Sequence, residues 1–275
     1  MKRFAVVLAL VALPFGAFAQ FDHSHAAWTA LLKQNVVLIG DGKASQVRYA
    51  ELAKERAQLK AYLDALSQVG EAEFNGWSKA QQMAFLINAY NAFTVEKILT
   101  RYPDIKSIWD FGKVFGNPFK DRFFTLLGRA ATLDRIEHET LRRPGAYDEP
   151  RVHFAVNCAS IGCPMLREEA YVAERLDAQL EDQTRRFLAD RSRNRFNPGR
   201  GALEVSKIFD WFSEDWQSGY RGFAENGEPI HSRTQFFARY ATLFADVPAE
   251  QQLIADGKVP IAFLDYDWRL NDVKR

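Results

Sequence analysis

One long segment has apolar side chains on nearly every face and so defines the centre of the fold. Ser78 and Gln81 form a capping-box signature at its start, and Pro103 follows its end. Between them, the run AFLINAYNAFTV has too few polar positions for a helix with one solvated face. The sequence therefore predicts a buried central helix from Trp77 to Thr100.

Two amide side chains interrupt this apolar run. Asn88 and Asn91 are three residues apart, which places them on one face of the predicted helix. A buried amide is costly unless it is hydrogen-bonded. Either these amides bond nearby backbone and fix the packing, or they line a pocket and orient a catalytic group. Both are therefore candidate binding residues.

A second informative stretch, RVHFAVNCASIGCP at residues 151–164, contains both cysteines. Its apolar start, bounded by turn residues, is typical of a buried strand, so we predict a central strand from Arg151 to Asn157. Side chains on a strand alternate between its two faces. His153 and Asn157 would then point the same way, just before Cys158. Polar groups at the end of a strand often form a functional site.

Between these two stretches, the sequence predicts a hairpin followed by a short helix. The runs 122–127 and 130–133 flank Gly128 and Arg129, as expected of two short strands and their turn. Thr132 or Asp134 would cap the helix that follows. This helix carries His138 and Arg142 on one face, four residues apart.

The first residues have the features of an export signal. Lys2 and Arg3 precede an apolar run from Phe4 to Phe15, and Ala17-Phe18-Ala19 is a small-x-small cleavage motif. We expect cleavage after Ala19 and a mature chain in the periplasm or outside the cell. The apolar run is too short for a membrane span.

Composition and charge narrow the class of protein further. The chain contains 22 Phe and 6 Trp, enough for a substantial core, and its net charge is only +1. A balance so close to neutral gives no electrostatic reason to expect nucleic acid as a partner. We expect no cofactor and no membrane span, and the partner would be an unidentified small molecule or peptide.

The predicted fold is a single α+β domain whose central buried helix packs on a small, mainly antiparallel sheet. A signal peptide (1–19) and an N-terminal helical region (20–76) precede the main segment (77–275).

Several of these segments together resemble the family known as domain of unknown function 547. They are AFLINAYNAFTV, LDRIEHETLR, RVHFAVNCASIGCPMLREEAY, LEVSKIFDWFSEDW and LDYDWRLN, within residues 77–271. Bacterial members of that family often follow an export signal, and the family's name implies no established reaction. The chain also distantly resembles papain-like and transglutaminase-like thiol enzymes. The resemblance to the domain of unknown function 547 family implies that Asn88, His138, His153, Cys158, Cys163 and Pro164 lie in the recurring motifs of that family.

Three interpretations of the two cysteines remain open. Export favours a structural disulfide between Cys158 and Cys163, since the intervening residues can bring the two Cα atoms close enough. Alternatively, Cys158 is a nucleophile with His153 or His138 as its base. Backbone N–H groups of residues 159–162 would then form an oxyanion hole, with Asn157 as an orienting amide. A zinc site made of these histidines and cysteines is the third interpretation, but the cysteine spacing is wider than usual, and we expect no metal.

Four further polar residues are candidates near such a site. Ser160 lies in the Cys turn, and Arg142 either binds a carboxylate or pairs with Glu139 or Asp134 on its own helix. Asp265 and Asp267 either orient a histidine or cap the end of a strand.

Two functions therefore remain open. The first is a thiol- or His-dependent hydrolase or transferase that acts on amide or peptide bonds. The second is a non-enzymatic periplasmic binding or scaffold protein whose cysteine pair is a structural disulfide.

Overall fold

The central helix, α5, spans Lys79–Leu99, and every residue from Gln82 to Leu99 is buried. Its start is fixed by the predicted capping box, in which the backbone N–H of Gln81 donates to Ser78 Oγ and that of Ser78 donates to Gln81 Oε1. The computed structural model describes residues 20–112, 116–217 and 229–273. The predicted signal peptide therefore lies outside the described residues.

From residue 20 onward, four helices and one hairpin precede α5. The buried apolar residues of these helices belong to the same hydrophobic core as α5, and the hairpin turns at Gly40–Gly42. In chain order these elements are α1 (Ala26–Asn35), β1 (Val36–Ile39), β2 (Ala44–Val47), α2 (Tyr49–Lys54), α3 (Arg56–Gln68) and α4 (Glu71–Asn75).

The predicted hairpin after α5 is present. Strands β3 (Phe124–Leu126) and β4 (Arg129–Ala131) pair antiparallel. The ring of Phe124 stacks on that of Phe93 in α5, with ring centroids 3.9 Å apart. The central helix therefore packs directly against one of the small sheets.

The second half of the chain surrounds a three-stranded sheet. Its strands are β5 (Arg195–Asn197), β6 (Ala202–Ser206) and β7 (Ile261–Leu264), in that spatial order. The β5–β6 pair is antiparallel and the β6–β7 pair is parallel. The neighbouring helices are α6 (Leu176–Ala189), α7 (Ile208–Trp211), α8 (Arg233–Arg239) and α9 (Pro248–Ala255). The α+β prediction is confirmed, with three of the four strand pairs antiparallel.

The predicted strand from Arg151 to Asn157 is wrong. Residues Pro150–Phe154 form a 3₁₀ helix, and residues 155–157 are irregular. Pro150 favours a helical start, and the Glu149 side chain accepts the N–H of Arg151 as a cap. The segment is buried as predicted, but strand alternation does not apply to it. His153 and Asn157 therefore do not share a strand face.

No helix in the described ranges 20–112, 116–217 and 229–273 is long and apolar enough to cross a membrane.

Candidate active site

A cavity of about 310 Å³ opens between the central helix and the second half of the chain. Its polar lining includes His138, His153, Asp134, Glu137 and the Cys158–Cys163 pair. The rest of the lining is mainly aromatic. The aromatic lining residues are Tyr90, Trp109, Phe119, Trp211, Phe212, Tyr266 and Trp268. A cleft with a mainly apolar wall and a few convergent polar groups is the usual form of a small-molecule site.

A short π-helix, Arg135–Leu141, carries two of the polar groups on this wall, Glu137 and His138, and Asp134 directly precedes it. Thr132, one of the two predicted caps, accepts the N–H of Arg135 at 3.0 Å through Oγ1. The π-helical spacing is seen at its end, where the N–H of Arg142 donates to Glu137 O, five residues back. Single π-helical turns are frequent at functional sites, because the wider turn redirects side chains.

His153 lies at the back of the cavity and is paired with Asp215. The ring is almost completely buried, and its Nε2 lies 2.7 Å from Asp215 Oδ2. Arg142 holds the same carboxylate from the other side, with Nε at 2.6 Å from Oδ2 and Nη2 at 3.1 Å from Oδ1. The face of the imidazole stacks on Phe212, with centroids 4.2 Å apart. These contacts fix both the position and the rotation of the ring.

Charge in this group lies on Asp215 and Arg142 and not on the histidine. Burial alone would raise the pKa of Asp215, but hydrogen bonds from His153 and Arg142 outweigh it and lower the pKa to about 2. Burial also lowers the pKa of His153, and its hydrogen bond to Asp215 only partly offsets that effect. His153 is therefore neutral at neutral pH beside an ionised Asp215.

The hydrogen-bond partners define which ring nitrogen carries the proton. An ionised carboxylate only accepts hydrogen bonds, so Nε2 of His153 must be the donor and Nδ1 carries the lone pair. Nδ1 is buried, and no residue in the described part of the chain forms a hydrogen bond with it. It lies 3.9 Å from Oε1 of Glu137, which also lines the cavity. The arrangement leaves one basic nitrogen available for a proton.

His138 has different hydrogen-bond partners from those of His153. Its Nδ1 lies 2.7 Å from Nη1 of Arg142, and because a guanidinium only donates, this nitrogen is the acceptor. The remaining nitrogen, Nε2, carries a hydrogen in the neutral ring and lies 3.8 Å from Asp134 Oδ1. Of the two predicted catalytic histidines, His153 therefore has the geometry of a base, whereas His138 has that of a hydrogen-bond donor.

Glu137 adds a second titratable group next to His153. Burial raises the pKa of Glu137, while nearby His138, the hydrogen bond from Tyr90 and Arg142 only partly oppose the shift. A carboxyl with a raised pKa holds its proton more readily and can donate it. Glu137 is thus a candidate proton donor beside His153, with its Oε1 3.9 Å from Nδ1 of the imidazole.

The two cysteines are joined as a disulfide, with their Cα atoms 6.2 Å apart. This bond forms part of the cavity wall, and Cys158 Sγ lies 3.2 Å from the hydroxyl of Tyr266. Cys158 N–H donates to Cys163 Sγ at 2.8 Å. In this state Cys158 carries no thiol, so the disulfide interpretation is the one that the structure displays.

Three of the four N–H groups in the predicted oxyanion hole of the Cys turn already have protein acceptors. The N–H groups of Ala159, Ile161 and Gly162 donate to Asn157 Oδ1, Arg269 O and Asp267 O. A Cβ on Gly162 would lie 2.9 Å from the backbone nitrogen of Asp267, so glycine is required for this close approach. The turn is bonded to the chain after β7, and these three N–H groups already have protein acceptors.

The candidate amides all bind backbone. Asn91 donates to Ala155 O at 2.9 Å and accepts the N–H of Asn157 at 2.8 Å. Asn88 makes the same pair of bonds to Tyr171, at 2.8 and 3.0 Å.

Asn157 continues this pattern inside the Cys turn, where it donates to Pro164 O at 2.7 Å. These three amides therefore position the segments around the site, and their polar atoms already have protein partners. Ser160 is buried, and its hydroxyl has no hydrogen-bond partner.

Sequence reasoning missed the carboxylate that orients His153. Asp265 and Asp267 were the candidates, but Asp267 pairs with Arg269 two residues away. Asp215 performs the role from a 3₁₀ helix, Ser213–Trp216. It also binds Arg142, so the described partner of this guanidinium is Asp215 and not the predicted Glu139 or Asp134. The only signal for Asp215 was its place in the segment LEVSKIFDWFSEDW.

Comparison with known proteins identifies part of the chain. Residues 74–188 match the family described as "Protein of unknown function, DUF547". The resemblance drawn from the sequence is confirmed over this segment, which contains the π-helix, His153 and both cysteines. Asp215 and the aromatic residues 211, 266 and 268 lie beyond it. No curated protein and no solved structure matches the chain.

Proposed function

We propose that this chain, which carries a DUF547 segment at residues 74–188, is an exported hydrolase or transferase of amide or peptide bonds. His153 is its general base, and Asp215 orients the ring. The observation that carries the proposal is the neutral, buried imidazole whose Nε2 donates to an ionised carboxylate, while Nδ1 has no hydrogen-bond partner among the described residues. A structural histidine in a core normally has both nitrogens satisfied.

The chemistry needs a base, a group that polarises the carbonyl, and a proton for the leaving nitrogen. Nδ1 of His153 takes a proton from water or another acceptor of the acyl group, and the resulting oxygen nucleophile attacks the carbonyl carbon. Nε2–H of His138, or the carboxyl of Glu137 when it holds a proton, stabilises the developing negative charge. His153 then returns its proton to the amine as the C–N bond breaks. Asp215 stabilises the transient imidazolium.

A thiol route belongs to the reduced protein. It needs an external dithiol, which reduces the Cys158–Cys163 bond to two thiols and is itself oxidised to a disulfide. Cys158 would then attack the carbonyl carbon in place of water, with His153 as its base. The disulfide favours the water route for the protein as it stands.

The cellular location proposed is the periplasm or the outside of the cell. The basic and apolar residues before Ala19 support export, and the disulfide is compatible with an oxidising compartment. Intact-mass measurement of protein recovered from the periplasm should give a chain that begins at Gln20. Recovery of the full-length chain from the cytoplasm would contradict this location.

A non-enzymatic binding or scaffold protein is the second candidate. The disulfide favours it, because a cross-link locks the turn that forms the cavity wall and removes the thiol. In this alternative, the same aromatic cavity holds a ligand without transforming it.

Turnover of a panel of aminoacyl 7-amido-4-methylcoumarins, assayed without reductant, distinguishes the two functions. An enzyme should release the coumarin, and kcat/KM should fall as the pH drops below the ordinary histidine range, since His153 must be neutral. The variants His153→Gln and Asp215→Asn should abolish or strongly reduce release. His231→Gln, which changes an exposed histidine outside the cavity lining, is the matched control. Absence of turnover across the panel, or undiminished turnover by His153→Gln, would reject the hydrolase.

A further inference from the structure

Two tryptophans at the cavity are unusually exposed. Trp109 is 40% exposed and Trp211 is 44% exposed, and both line the cavity that contains His153. Large aromatic side chains are normally buried, because each removes a large apolar area from water. Exposed tryptophans that converge on one cavity are therefore a sign of ligand binding.

The exposed rings belong to a cluster with Trp268 and Tyr266. Trp268 lies 5.3 Å from Trp109 and 5.8 Å from Trp211, measured between ring centroids. The Tyr266 ring lies 4.9 Å from that of Trp211 and 4.5 Å from that of Trp268. Because each ring is held by its neighbours, the cluster is rigid before any ligand arrives, which lowers the entropy lost on binding.

The charged groups in the described lining of this cavity are all acidic side chains or histidines. Asp134 and Glu137 line the same cavity, whereas its described lining contains no Lys or Arg. Elsewhere the chain covers aromatic faces with its own cations, as Lys97 does over Phe111 at 4.8 Å. Across the described part of the chain, no Lys or Arg lies over the three clustered tryptophans.

We infer that the aromatic cluster and Asp134 bind an organic ammonium group. The faces of tryptophan rings attract cations more strongly than those of other aromatic residues, and a nearby carboxylate adds charge complementarity. An anionic ligand would meet two carboxyl groups and no cation in the described lining. A neutral ligand would gain apolar contact but would make no use of the carboxylates.

The role of this ammonium site in binding a substrate rests on the proposed function. The cluster lines the same cavity as His153, so the substrate class is an amide or peptide that carries an ammonium group near the bond to be broken. A lysine-like side chain or a free amino group has that chemistry.

Direct binding tests the inference without any turnover. Isothermal titration of the oxidised protein uses pentylammonium and its uncharged counterpart 1-pentanol, neither of which contains an amide. We expect pentylammonium to bind at least about ten-fold more tightly, since cation–π and carboxylate contacts are both lost with the alcohol. Equal affinity for the two probes, or binding of methyl glucoside with no binding of pentylammonium, would overturn the inference.

Variants identify the groups that hold the cation. Trp211→Leu should weaken pentylammonium binding by about five- to thirty-fold, and because the side chain is exposed, the fold should tolerate the change. Asp134→Asn should weaken binding of pentylammonium and leave that of 1-pentanol unchanged. Asp246→Asn is the matched control, since this side chain is 94% exposed and lies outside the cavity lining. Undiminished pentylammonium binding in both cavity variants would also contradict the inference.

Failure of the proposed function and failure of this inference give different results. Pentylammonium binding in a protein that turns over no coumarin amide would reject the hydrolase and retain the ammonium site. Turnover that shows no preference for lysyl over norleucyl coumarin, with equal binding of the two probes, would reject the ammonium site alone.

Discussion

The side chain of Asn91 fixes the backbone between His153 and Cys158, and its removal should have a large and specific cost. It satisfies two backbone groups with no other partner described, the carbonyl of Ala155 and the N–H of Asn157. Each buried polar group left unsatisfied costs about 1–3 kcal/mol, so Asn91→Ala should lower the free energy of unfolding by about 2–6 kcal/mol. Urea unfolding followed by tryptophan fluorescence measures that loss.

Asn88 provides an internal comparison, because it makes the same two bonds to Tyr171. Asn88→Ala should lower the free energy of unfolding by a similar amount. Hydrogen exchange should then separate the two variants. Asn91→Ala should speed exchange of the Asn157 amide, and Asn88→Ala that of the Tyr171 amide. A loss below about 0.5 kcal/mol in either variant, within the range of ordinary surface substitutions, would refute this account of the amides.

Two other properties of the chain can be predicted from the structure. Iodoacetamide should not label the native protein until a reductant is added, since both cysteines are in the disulfide. Intact mass measures the labelling, and rapid labelling of the untreated protein would contradict the prediction. Burial lowers the pKa of His25 from 6.5 to about 4, so the unfolded chain binds the proton more tightly and stability should fall as the pH drops through that interval. Between pH 7 and 4.5, protonation of this histidine should lower the free energy of unfolding by about 2–3 kcal/mol. Urea unfolding of His25→Gln should not show this pH dependence, and its persistence in the variant would refute the prediction.

The central helix could be predicted because its signals are local. Ser78 and Gln81 mark its start, and an apolar run of that length has few alternatives to a buried helix. The strand prediction for residues 151–157 was wrong for a related reason. A short apolar run shows that residues are buried, but it does not distinguish a strand from a packed irregular segment. Here Pro150 and the Glu149 cap favour a helical turn over a strand.

The candidate site was only partly predictable. Histidines and cysteines in a short stretch are visible in the sequence, so His138, His153 and both cysteines were found. Asp215 is 62 residues from His153 along the chain, and nothing in its local sequence distinguishes it from other surface acids. The aromatic cluster is equally non-local, because Trp109, Trp211 and Trp268 come from three distant segments. Such juxtapositions depend on tertiary packing, which periodicity and spacing do not encode.

The most direct test of the account is the protonation state of His153. Nitrogen NMR of protein with ¹⁵N-labelled histidine rings reports which nitrogen carries hydrogen, and comparison with His153→Gln assigns the signals. At neutral pH we predict a neutral ring with hydrogen on Nε2 and a lone pair on Nδ1, because Asp215 accepts from Nε2. A ring with hydrogen on Nδ1, or an imidazolium at neutral pH, would contradict the assignment of His153 as the base.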